Sequence, residues 1–376
     1  MRVLLLTPDF PPTRGGVQNL LARLTDGLTA RCAVRVATVD ASGAREWDRA
    51  RHYGVSRSRR TPFFLLTLAL LALASFGQML RFRPQVIVCG HLLLGPVCAV
   101  ARRLFGIPYV VIGYGSEIGS RRMRYAVRTG LHGAAYAVTI SEFARRAILA
   151  HGVASERVIL IRPGPGLVGG DEPDLNGRDD GRRILLSVSR LAEPYKGHDN
   201  VLRALPQILT KVPDAHYVIV GDGPLRPDLE RLASSLGVAN AVTFTGEVSD
   251  EEVDAWYWRC DVFILCSREA AVGGGVEGYG LVFIEANLRG KPTIGGRSGG
   301  IPDAVLDGVT GLLVDPLDTA DIAAAVVRLM EDPVLARRLG AEGRRRALHE
   351  VSWDTYLMRF DEVLRAAAGQ PICART

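Results

Sequence analysis

The sequence predicts an α/β protein made of two doubly wound, Rossmann-like domains, and three observations support this. Short apolar runs alternate with longer helical patterns along the whole chain. The chain has 376 residues, which is more than one hydrophobic core of ordinary size accommodates. The series of apolar runs stops before residue 166 and starts again after residue 182. Continuous apolar strands separated by helices are typical of parallel sheets covered on both faces.

The individual strands follow from the apolar runs. In the first half the predicted strands are 3–7, 33–39, 86–89, 109–112 and 137–140. In the second half they are 184–188, 217–220, 241–244, 262–265, 293–294 and 311–314. Between the two series, residues 166–182 (GLVGGDEPDLNGRDDGR) are rich in Gly, Asp and Pro and predict a linker. The expected domains are therefore 1–165 and 183–352.

Composition and charge limit the class of protein. With 48% hydrophobic and 23% charged residues, the sequence is that of a globular protein. The net charge of +6 is unevenly distributed, because residues 1–165 carry +15 and the remainder −9. The basic half is expected to face an anionic partner, for which nucleic acid, anionic lipid and a phosphate-bearing acceptor are the candidates. Six cysteines without a C-x-x-C pair indicate reduced thiols in the cytoplasm.

Residues 62–80 (PFFLLTLALLALASFGQML) form the one segment that could interact with a membrane. The segment is long enough to span, but four residues interrupt it, which are Thr67, Ser75, Gly77 and Gln78. We predict a buried or half-buried helix of a βαβ unit. The alternatives are a membrane-spanning helix and a helix lying on the membrane surface. The surface alternative gains support from flanking basic residues, which are Arg57, Arg59, Arg60 and Arg81.

Two short motifs follow the first two strands of the second half. Arg190 and Lys196 lie just beyond the first of these strands, where an arginine and a lysine suit a diphosphate group. The turn Gly221-Asp222-Gly223-Pro224 follows the next strand and is expected at the same edge of the sheet. Each motif has an ordinary alternative, namely a surface pair of basic residues and a plain glycine turn.

The stretch 275–292 (GVEGYGLVFIEANLRGKP) is more specific. Its pattern predicts a helix that begins near Gly280–Leu281 and stops at Gly290. The free N–H groups at the helix start favour a phosphate. Glu277 would lie in the preceding loop and Glu285 just over one turn into the helix, where they can accept hydrogen bonds from sugar and ribose hydroxyls. The alternative is an acid that merely favours the helix dipole.

Taken together, these motifs resemble those of the family 4 retaining glycosyltransferases of the GT-B fold. The resemblance covers nearly the whole chain, with bacterial lipid and polysaccharide mannosyl- or hexosyltransferases most similar. It rests on a set of segments in a shared order, which are 8–18 (PDFPPTRGGVQ), 189–197, 221–224, 245–248, Glu277-x7-Glu285, 299–311 and Ser352-Trp353.

The resemblance implies two facing domains with an interdomain cleft, and a final helix at 353–376 that packs back on the N-terminal domain. The N-terminal domain would bind the acceptor, and the C-terminal domain the donor. The implied reaction moves a hexose from GDP-mannose or a UDP-hexose to a hydroxyl acceptor, which is anionic or lipid-linked. Peripheral contact with an anionic membrane is expected, and nucleic acid is not.

The resemblance also assigns roles to single residues. Glu277 lies near the transferred sugar, Glu285 binds ribose, and Arg190 and Lys196 stabilise the departing diphosphate. The remaining donor-binding residues supply backbone amides or line the nucleotide site, and they are Gly15, Gly16, Gly221, Asp222, Val248, Gly278, Tyr279, Gly280 and Leu281. Neither a cofactor nor a metal is expected, and the sequence contains no Asp-x-Asp motif.

One position departs from the family pattern. The segment GYGSE (113–117) has Tyr114 where many relatives have a histidine placed beside the donor sugar. A tyrosine can still hydrogen-bond a sugar, so Tyr114 is included among the catalytic candidates. His91 and His132 are possible substitutes that we interpret as structural. The alternative functions are a catalytically impaired sugar-nucleotide-binding protein and a nucleotide-sugar 2-epimerase.

Overall fold

A computed structural model describes residues 1–13, 15–115, 117–119, 123–166, 181–270 and 275–370. The chain divides into two compact units, of which one combines Met1–Pro163 with Trp353–Thr376 and the other is Gly164–Ser352. Most of the predicted linker, residues 167–180, lies outside the described residues.

The first unit contains a parallel sheet of seven strands in the order β3-β2-β1-β4-β5-β6-β7. The strands are β1 (Arg2–Leu6), β2 (Ala33–Val39), β3 (Gly54–Ser58), β4 (Val86–Cys89), β5 (Tyr109–Gly113), β6 (Tyr136–Thr139) and β7 (Val158–Leu160). The helices between them are α1 (Gly16–Thr29), α2 (Ala44–Arg49), α3 (Phe64–Phe82), α4 (Gly95–Phe105), α5 (Arg124–Gly133) and α6 (Glu142–Leu149).

All five strands predicted in this half are present. They are the central strands β1, β2, β4, β5 and β6, whose apolar side chains face helices on both sides. The sequence did not predict β3 and β7, which form the two edges of the sheet. The reason is that β3 has the partly exposed sequence GVSRS and β7 has three residues, so neither contains a long apolar run.

Helix α3 is half-buried, as predicted for the segment 62–80. Its buried residues recur every fourth position, at Thr67, Leu71, Ser75 and Met79, and the helix packs against β1, β2 and β3. The opposite side of the helix is apolar but exposed. Within the described part of the chain, α3 is the one helix that is long and apolar enough to cross a membrane by length and composition.

The second unit contains a parallel sheet of six strands in the order β10-β9-β8-β11-β12-β13. The strands are β8 (Arg183–Val188), β9 (Ala215–Val220), β10 (Val242–Gly246), β11 (Val262–Leu265), β12 (Thr293–Gly296) and β13 (Gly311–Val314). All six were predicted. The helices are α7 (His198–Lys211), α8 (Arg226–Ser235), α9 (Asp250–Arg259), α10 (Leu281–Leu288), α11 (Ile301–Ala304), α12 (Thr319–Glu331) and α13 (Pro333–His349).

The final helix, α14 (Trp353–Ala367), belongs to the first unit. It contacts α1 and β5, and the approach to α1 is close at Gly27, where a Cβ atom would lie 2.2 Å from Leu357 Cδ1. The strand order reverses between β1 and β4 in the first sheet and between β8 and β11 in the second. Doubly wound sheets bind ligands beyond the carboxyl ends of the strands at such reversal points.

Candidate active site

Lys196 and Glu277 form an ion pair at the carboxyl edge of the second sheet. Lys196 ends a short 3-10 turn after β8, and Glu277 lies in the loop before α10. The Nζ–Oε2 distance is 2.5 Å, and each side chain is 16% exposed. Burial is the largest single effect and lowers the pKa of Lys196, but Glu277, with contributions from Tyr195 and Glu193, raises it by more, so the pKa lies above its usual value. The site therefore holds a fixed ammonium group with residual access to solvent.

The loop that carries Glu277 is held by the segment after β12. Gly300 donates its backbone N–H to the carbonyl of Glu277 over 2.8 Å. Gly299 has φ +55°, and a Cβ atom there would lie 2.4 Å from the same carbonyl oxygen. Only glycine fits this approach. Glu277 is thus fixed through its backbone as well as through its carboxylate.

Helix α10 begins at Leu281 and is preceded by Gly280, whose φ of +97° is in the left-handed region. The predicted start of the helix is therefore confirmed, and Gly290, with φ +71°, follows its end as expected. Tyr279 is buried, while Gly278 is partly exposed next to it. The first backbone N–H groups of an α-helix have no partner within the helix, so the start of α10 is suited to an anion.

Glu285 is buried one turn into α10 and has a specific partner. The hydroxyl of Tyr257 on α9 donates to Oε2 of Glu285 over 2.7 Å. Burial first, and then the Glu285 carboxylate, raise the pKa of Tyr257 well above its usual value, so the hydroxyl stays protonated and remains a donor. A Cβ atom on Gly166 would lie 2.6 Å from Oε1 of Glu285. Neither the role of Tyr257 nor the close approach of Gly166 is predicted by the sequence.

Arg190 does not contact the ion pair of Lys196 and Glu277. Its guanidinium group pairs with Glu193 over 2.8 Å, and its side chain is 63% exposed. Tyr195 lies closer to the site, since Nζ of Lys196 is 5.4 Å from the centroid of its ring. The position of Tyr195 was also missed, because a single tyrosine in a loop gives no signal in the sequence.

The glycine turn after β9 packs against the loop after β8. Gly221 has φ +125°, and a Cβ atom on it would lie 2.1 Å from the carbonyl oxygen of Ser189. Asp222 accepts from the N–H of Gly223 over 2.7 Å and pairs with Arg226. Val248 is half-buried beyond β10 and precedes Ser249, the residue that caps α9. These residues lie at the same edge of the sheet as Lys196, as expected for a parallel sheet.

In the first unit, Gly15 and Gly16 stand at the start of α1, where Gly15 is the residue before the helix. Arg14 lies outside the described residues. A Cβ atom on Gly16 would meet no atom within 4 Å, whereas one on Gly15 would lie 2.3 Å from Oε1 of Gln18. The pair therefore lies at the carboxyl end of β1, where the sequence predicted a loop that approaches the diphosphate.

Tyr114 is buried beyond β5. Its hydroxyl donates to the carbonyl of Gly90 over 3.0 Å, and its backbone N–H donates to Glu117 over 2.7 Å. Burial is the main cause that raises the pKa of Tyr114 well above its usual value. The hydroxyl is thus engaged within the unit and fixes the end of β4.

His91 follows Gly90 and is partly exposed. Its Nδ1 accepts from the N–H of Leu93 over 3.1 Å, so the imidazole caps the short turn before α4. Burial lowers the pKa of His91, against the opposing effect of Asp9. The cap agrees with the structural interpretation of this residue.

In the described ranges, no group of three or more His, Cys, Asp or Glu side chains is arranged to hold a metal ion. The charges at the edge of the second sheet come instead from Lys196, Glu277 and the start of α10.

Comparisons with known proteins agree with this geometry. Residues 171–346 match the model for glycosyl transferases group 1, and residues 15–164 match the glycosyl transferase 4-like domain. The GDP-mannose-dependent alpha-(1-6)-phosphatidylinositol monomannoside mannosyltransferase of Mycolicibacterium smegmatis is 34% identical over 96% of this chain and 98% of its own length. The enzyme of the same name from Mycobacterium tuberculosis is 33% identical over 97% and 98%.

Solved structures give the same fold. The HepE protein of Anabaena, crystallised with UDP and glucose, superposes with a TM-score of 0.81 at 22% identity, over 97% of this chain and all of that one. Sucrose-phosphate synthase from Thermosynechococcus elongatus has a TM-score of 0.81 at 23% identity, over 97% and 98%.

Proposed function

Because the chain belongs to the family 4 glycosyltransferases of the GT-B fold, we propose that it transfers mannose from GDP-mannose to a hydroxyl of a mannosylated phosphatidylinositol. The observation that carries the proposal is the similarity to two GDP-mannose-dependent mannosyltransferases, which extends over at least 96% of this chain. The ion pair of Lys196 and Glu277 supports it, since it supplies charge where a sugar diphosphate needs it.

In the proposed reaction, the ammonium group of Lys196 and the amides from Gly278 to Leu281 stabilise the departing diphosphate. Fixed donors of this kind contribute most when charge develops on a leaving group. The carboxylate of Glu277 accepts from hydroxyls of the transferred sugar, and Glu285 accepts from the ribose. Its partner Tyr257 keeps that carboxylate in place.

Arg190 joins the site by rotating. Its pair with Glu193 spans three residues at an exposed position, and such pairs contribute little stability. Exchanging Glu193 for a diphosphate therefore costs little, and we propose that Arg190 does so when the donor binds.

The donor is tested by turnover. Purified enzyme is incubated with GDP-mannose, UDP-glucose or UDP-galactose and with a lipid extract that contains phosphatidylinositol mannosides. We expect labelled lipid from GDP-mannose, and we expect the product to retain the α configuration in its NMR spectrum. Glu277→Ala is the matched inactive control. Turnover with UDP-hexoses alone would contradict the proposed donor, and an inverted product would contradict retention.

We propose that transfer does not need a metal ion, because Lys196, Arg190 and the start of α10 together can balance the diphosphate charge. The rate in excess EDTA is expected to equal the rate in added Mg²⁺. A loss of activity in EDTA that Mg²⁺ or Mn²⁺ restores would show that this charge balance is incomplete.

We propose that the enzyme works in the cytoplasm, at the inner face of the membrane, with the exposed side of α3 in contact with anionic lipid. Leu66 and Leu73 are exposed on this side, and in the first turn of the helix Phe64 is exposed and Leu65 is 78% exposed. Arg59 and Arg60 are exposed just before the helix, so the surface combines apolar and basic side chains. Such a combination binds the interface of anionic bilayers.

Sedimentation with vesicles tests this contact. Binding to phosphatidylglycerol vesicles is expected to exceed binding to phosphatidylcholine and to fall as salt rises. The variant Leu65→Ser/Leu73→Ser should reduce binding, while Leu317→Ser, which removes an equally exposed leucine from the second unit, should not. Equal binding of all three proteins would exclude α3 as the contact.

A further inference from the structure

A chain of buried hydrogen bonds lies beneath the loops that carry Arg190 and Lys196. Nε2 of His198 is 2.7 Å from Oγ of Ser189, and Nδ1 is 3.0 Å from the hydroxyl of Tyr217. That hydroxyl is 2.9 Å from Oγ of Ser187, which donates to the carbonyl of Ile264 over 2.5 Å. These hydrogen bonds thus join β8, β9 and β11 to the first residue of α7.

The hydrogen atoms in this chain have one consistent order. Ser187 gives its hydrogen to Ile264, so the Tyr217 hydroxyl must donate to Ser187. The same hydroxyl then accepts from Nδ1–H of His198. Nε2 is left as an acceptor, and its donor at 2.7 Å is the hydroxyl of Ser189, which also lies 3.2 Å from the carbonyl oxygen of Arg190. Burial first, and then the charge of Lys196, lower the pKa of His198 to about 4, which agrees with a neutral ring.

His198 connects two positions that adjoin the basic residues of the site. Ser189 immediately precedes Arg190, and His198 follows Lys196 with one glycine between them. That glycine, Gly197, leaves no room for a side chain, because a Cβ atom would lie 2.0 Å from the carbonyl oxygen of Cys266. The loop after β8 is therefore held at its start by Ser189 and at its end by Gly197 and His198.

We infer that His198 is a positioning residue for the diphosphate of the donor, acting through its hydrogen bond with Ser189 to set the loop that bears Arg190 and Lys196. The inference rests on the proposed function, since it takes the diphosphate to bind at these two residues. His198 does not touch the donor in this role. The hydrogen bond with Tyr217 places the proton of the ring on Nδ1. The unprotonated Nε2 then faces Ser189 and accepts its hydrogen bond.

Two substitutions separate the two sides of the ring. His198→Gln places an amide oxygen near the position of Nε2, so it keeps an acceptor for Ser189 and loses the bond with Tyr217. His198→Asn places its amide near Nδ1, so it keeps a partner for Tyr217 and loses the bond with Ser189. Affinity is measured by calorimetry for GDP, UDP and the corresponding monophosphates, and the melting temperature is measured for every variant.

We expect His198→Asn to bind the preferred nucleoside diphosphate about ten-fold more weakly, with a monophosphate affinity within about two-fold of the unaltered protein. His198→Gln should bind the diphosphate within about three-fold but melt at a lower temperature, because Tyr217 loses a partner. Ser189→Ala should weaken diphosphate binding as much as His198→Asn does. The double variant Ser189→Ala/His198→Asn should lose no more affinity than either single variant, because both remove the same hydrogen bond.

His216 supplies a matched control. It is a buried histidine in the same sheet, and its Nε2 is 2.7 Å from a hydroxyl, that of Thr243. It lies near the amino end of β9, away from the loops after β8. His216→Gln is expected to lower the melting temperature without changing diphosphate affinity.

Equal diphosphate affinity in His198→Asn and the unaltered protein would overturn the inference. An equal loss in His216→Gln would also overturn it, because it would reduce the effect to lost stability. If the unaltered protein binds UDP and not GDP, the proposed donor is wrong, but the comparison of variants is still made with UDP. The two failures are thus distinguishable.

Discussion

The carboxyl edges of the two sheets differ in how their polar side chains are used. At the edge of the second sheet, Lys196 faces Glu277 over 2.5 Å, and Tyr257 donates to Glu285 over 2.7 Å. These groups are held by one another, and Lys196 and Glu277 each keep 16% of the side chain exposed. At the edge of the first sheet, Tyr114 turns its hydroxyl inward to Gly90, and His91 caps a turn.

The difference teaches where the chemistry of this enzyme resides. The second unit has a preorganised set of charges, so donor binding is expected to depend on single side chains. The first unit uses its polar groups to shape the backbone and presents the apolar side of α3 to solvent. The contribution of the first unit to activity is therefore expected to depend on its backbone shape and on the exposed apolar surface of α3. Single polar substitutions in this unit should have small effects on activity.

The largest effect is expected from breaking the ion pair. Lys196→Ala or Glu277→Ala should lower kcat/KM by at least about a thousand-fold, because each removes a fixed charge beside the reacting groups and leaves its partner uncompensated. Steady-state kinetics measures the loss. Circular dichroism should show an intact fold, since both residues lie in surface loops. Turnover within ten-fold of the unaltered enzyme in both variants would show that Lys196 and Glu277 are not the active-site residues.

The next effect concerns acid and stability. The pKa of His198 is lowered from 6.5 to about 4, by burial first and by Lys196 next, while Asp199 opposes the shift. Between about pH 6.5 and 4, His198 therefore binds a proton in the unfolded chain but not in the folded chain. The stabilising contribution is complete above about pH 6.5 and decreases by about 3 kcal/mol as the pH falls to 4. Thermal unfolding of His198→Gln over this range should show a flatter dependence on pH.

In the first unit, Glu117 should make stability depend on pH in the opposite direction. Burial raises the pKa of Glu117 above its usual 4.5, although the N–H of Tyr114 opposes this. The folded chain therefore binds a proton at a higher pH than the unfolded chain, and acid adds stability within that window. Glu117→Gln should remove this gain. An unchanged pH profile in Glu117→Gln would show that the two edges do not differ in this respect.

A smaller effect is expected at Glu285. Glu285→Gln keeps the size of the side chain but removes the charge of the carboxylate, to which the Tyr257 hydroxyl donates and, in the proposed function, a ribose hydroxyl donates as well. KM for the donor should rise about ten-fold with kcat less affected, because the ribose lies away from the bond that breaks. Tyr257→Phe should give a milder rise of the same kind. If kcat falls and KM does not change, Glu285 acts on the transferred sugar.

The smallest effect is expected at Tyr114. Tyr114→Phe removes one neutral hydrogen bond, so unfolding should become easier by about 1 kcal/mol and kcat/KM should change by less than about five-fold. A matched measurement is Tyr257→Phe in the second unit, which loses a bond to a carboxylate. A hundred-fold loss in Tyr114→Phe would show that the hydroxyl leaves Gly90 and contacts the substrate.

The strands show what could be predicted and why. Eleven predicted strands are present, because a strand buried on both faces needs a continuous apolar run. The edge strands β3 and β7 were missed, since an edge is partly exposed and its pattern is weak. The half-burial of α3 was predicted, but the four residues that form its buried side were not.

In the site, glycines and charges gave the clearest signals. Glu277, Glu285 and the limits of α10 followed from local pattern, because a helix start with free amides and a left-handed glycine has a local signature. Tyr257, Tyr195 and His198 did not. Tyr257 reaches Glu285 from another helix, whereas Tyr195 and His198 adjoin the Lys196-Gly197 motif and are distinguished only by the contacts of their side chains.

The sequence by itself determined the two parallel sheets and the order of motifs along their edges, because period, glycine placement and charge are local properties. Only the tertiary structure decided the partners: Lys196 with Glu277, Tyr257 with Glu285, His198 with Ser189, and Arg190 with Glu193 in place of the ion pair. Such pairs depend on distances between residues up to 81 positions apart. Those distances are set by how strands and helices pack, which local sequence does not encode.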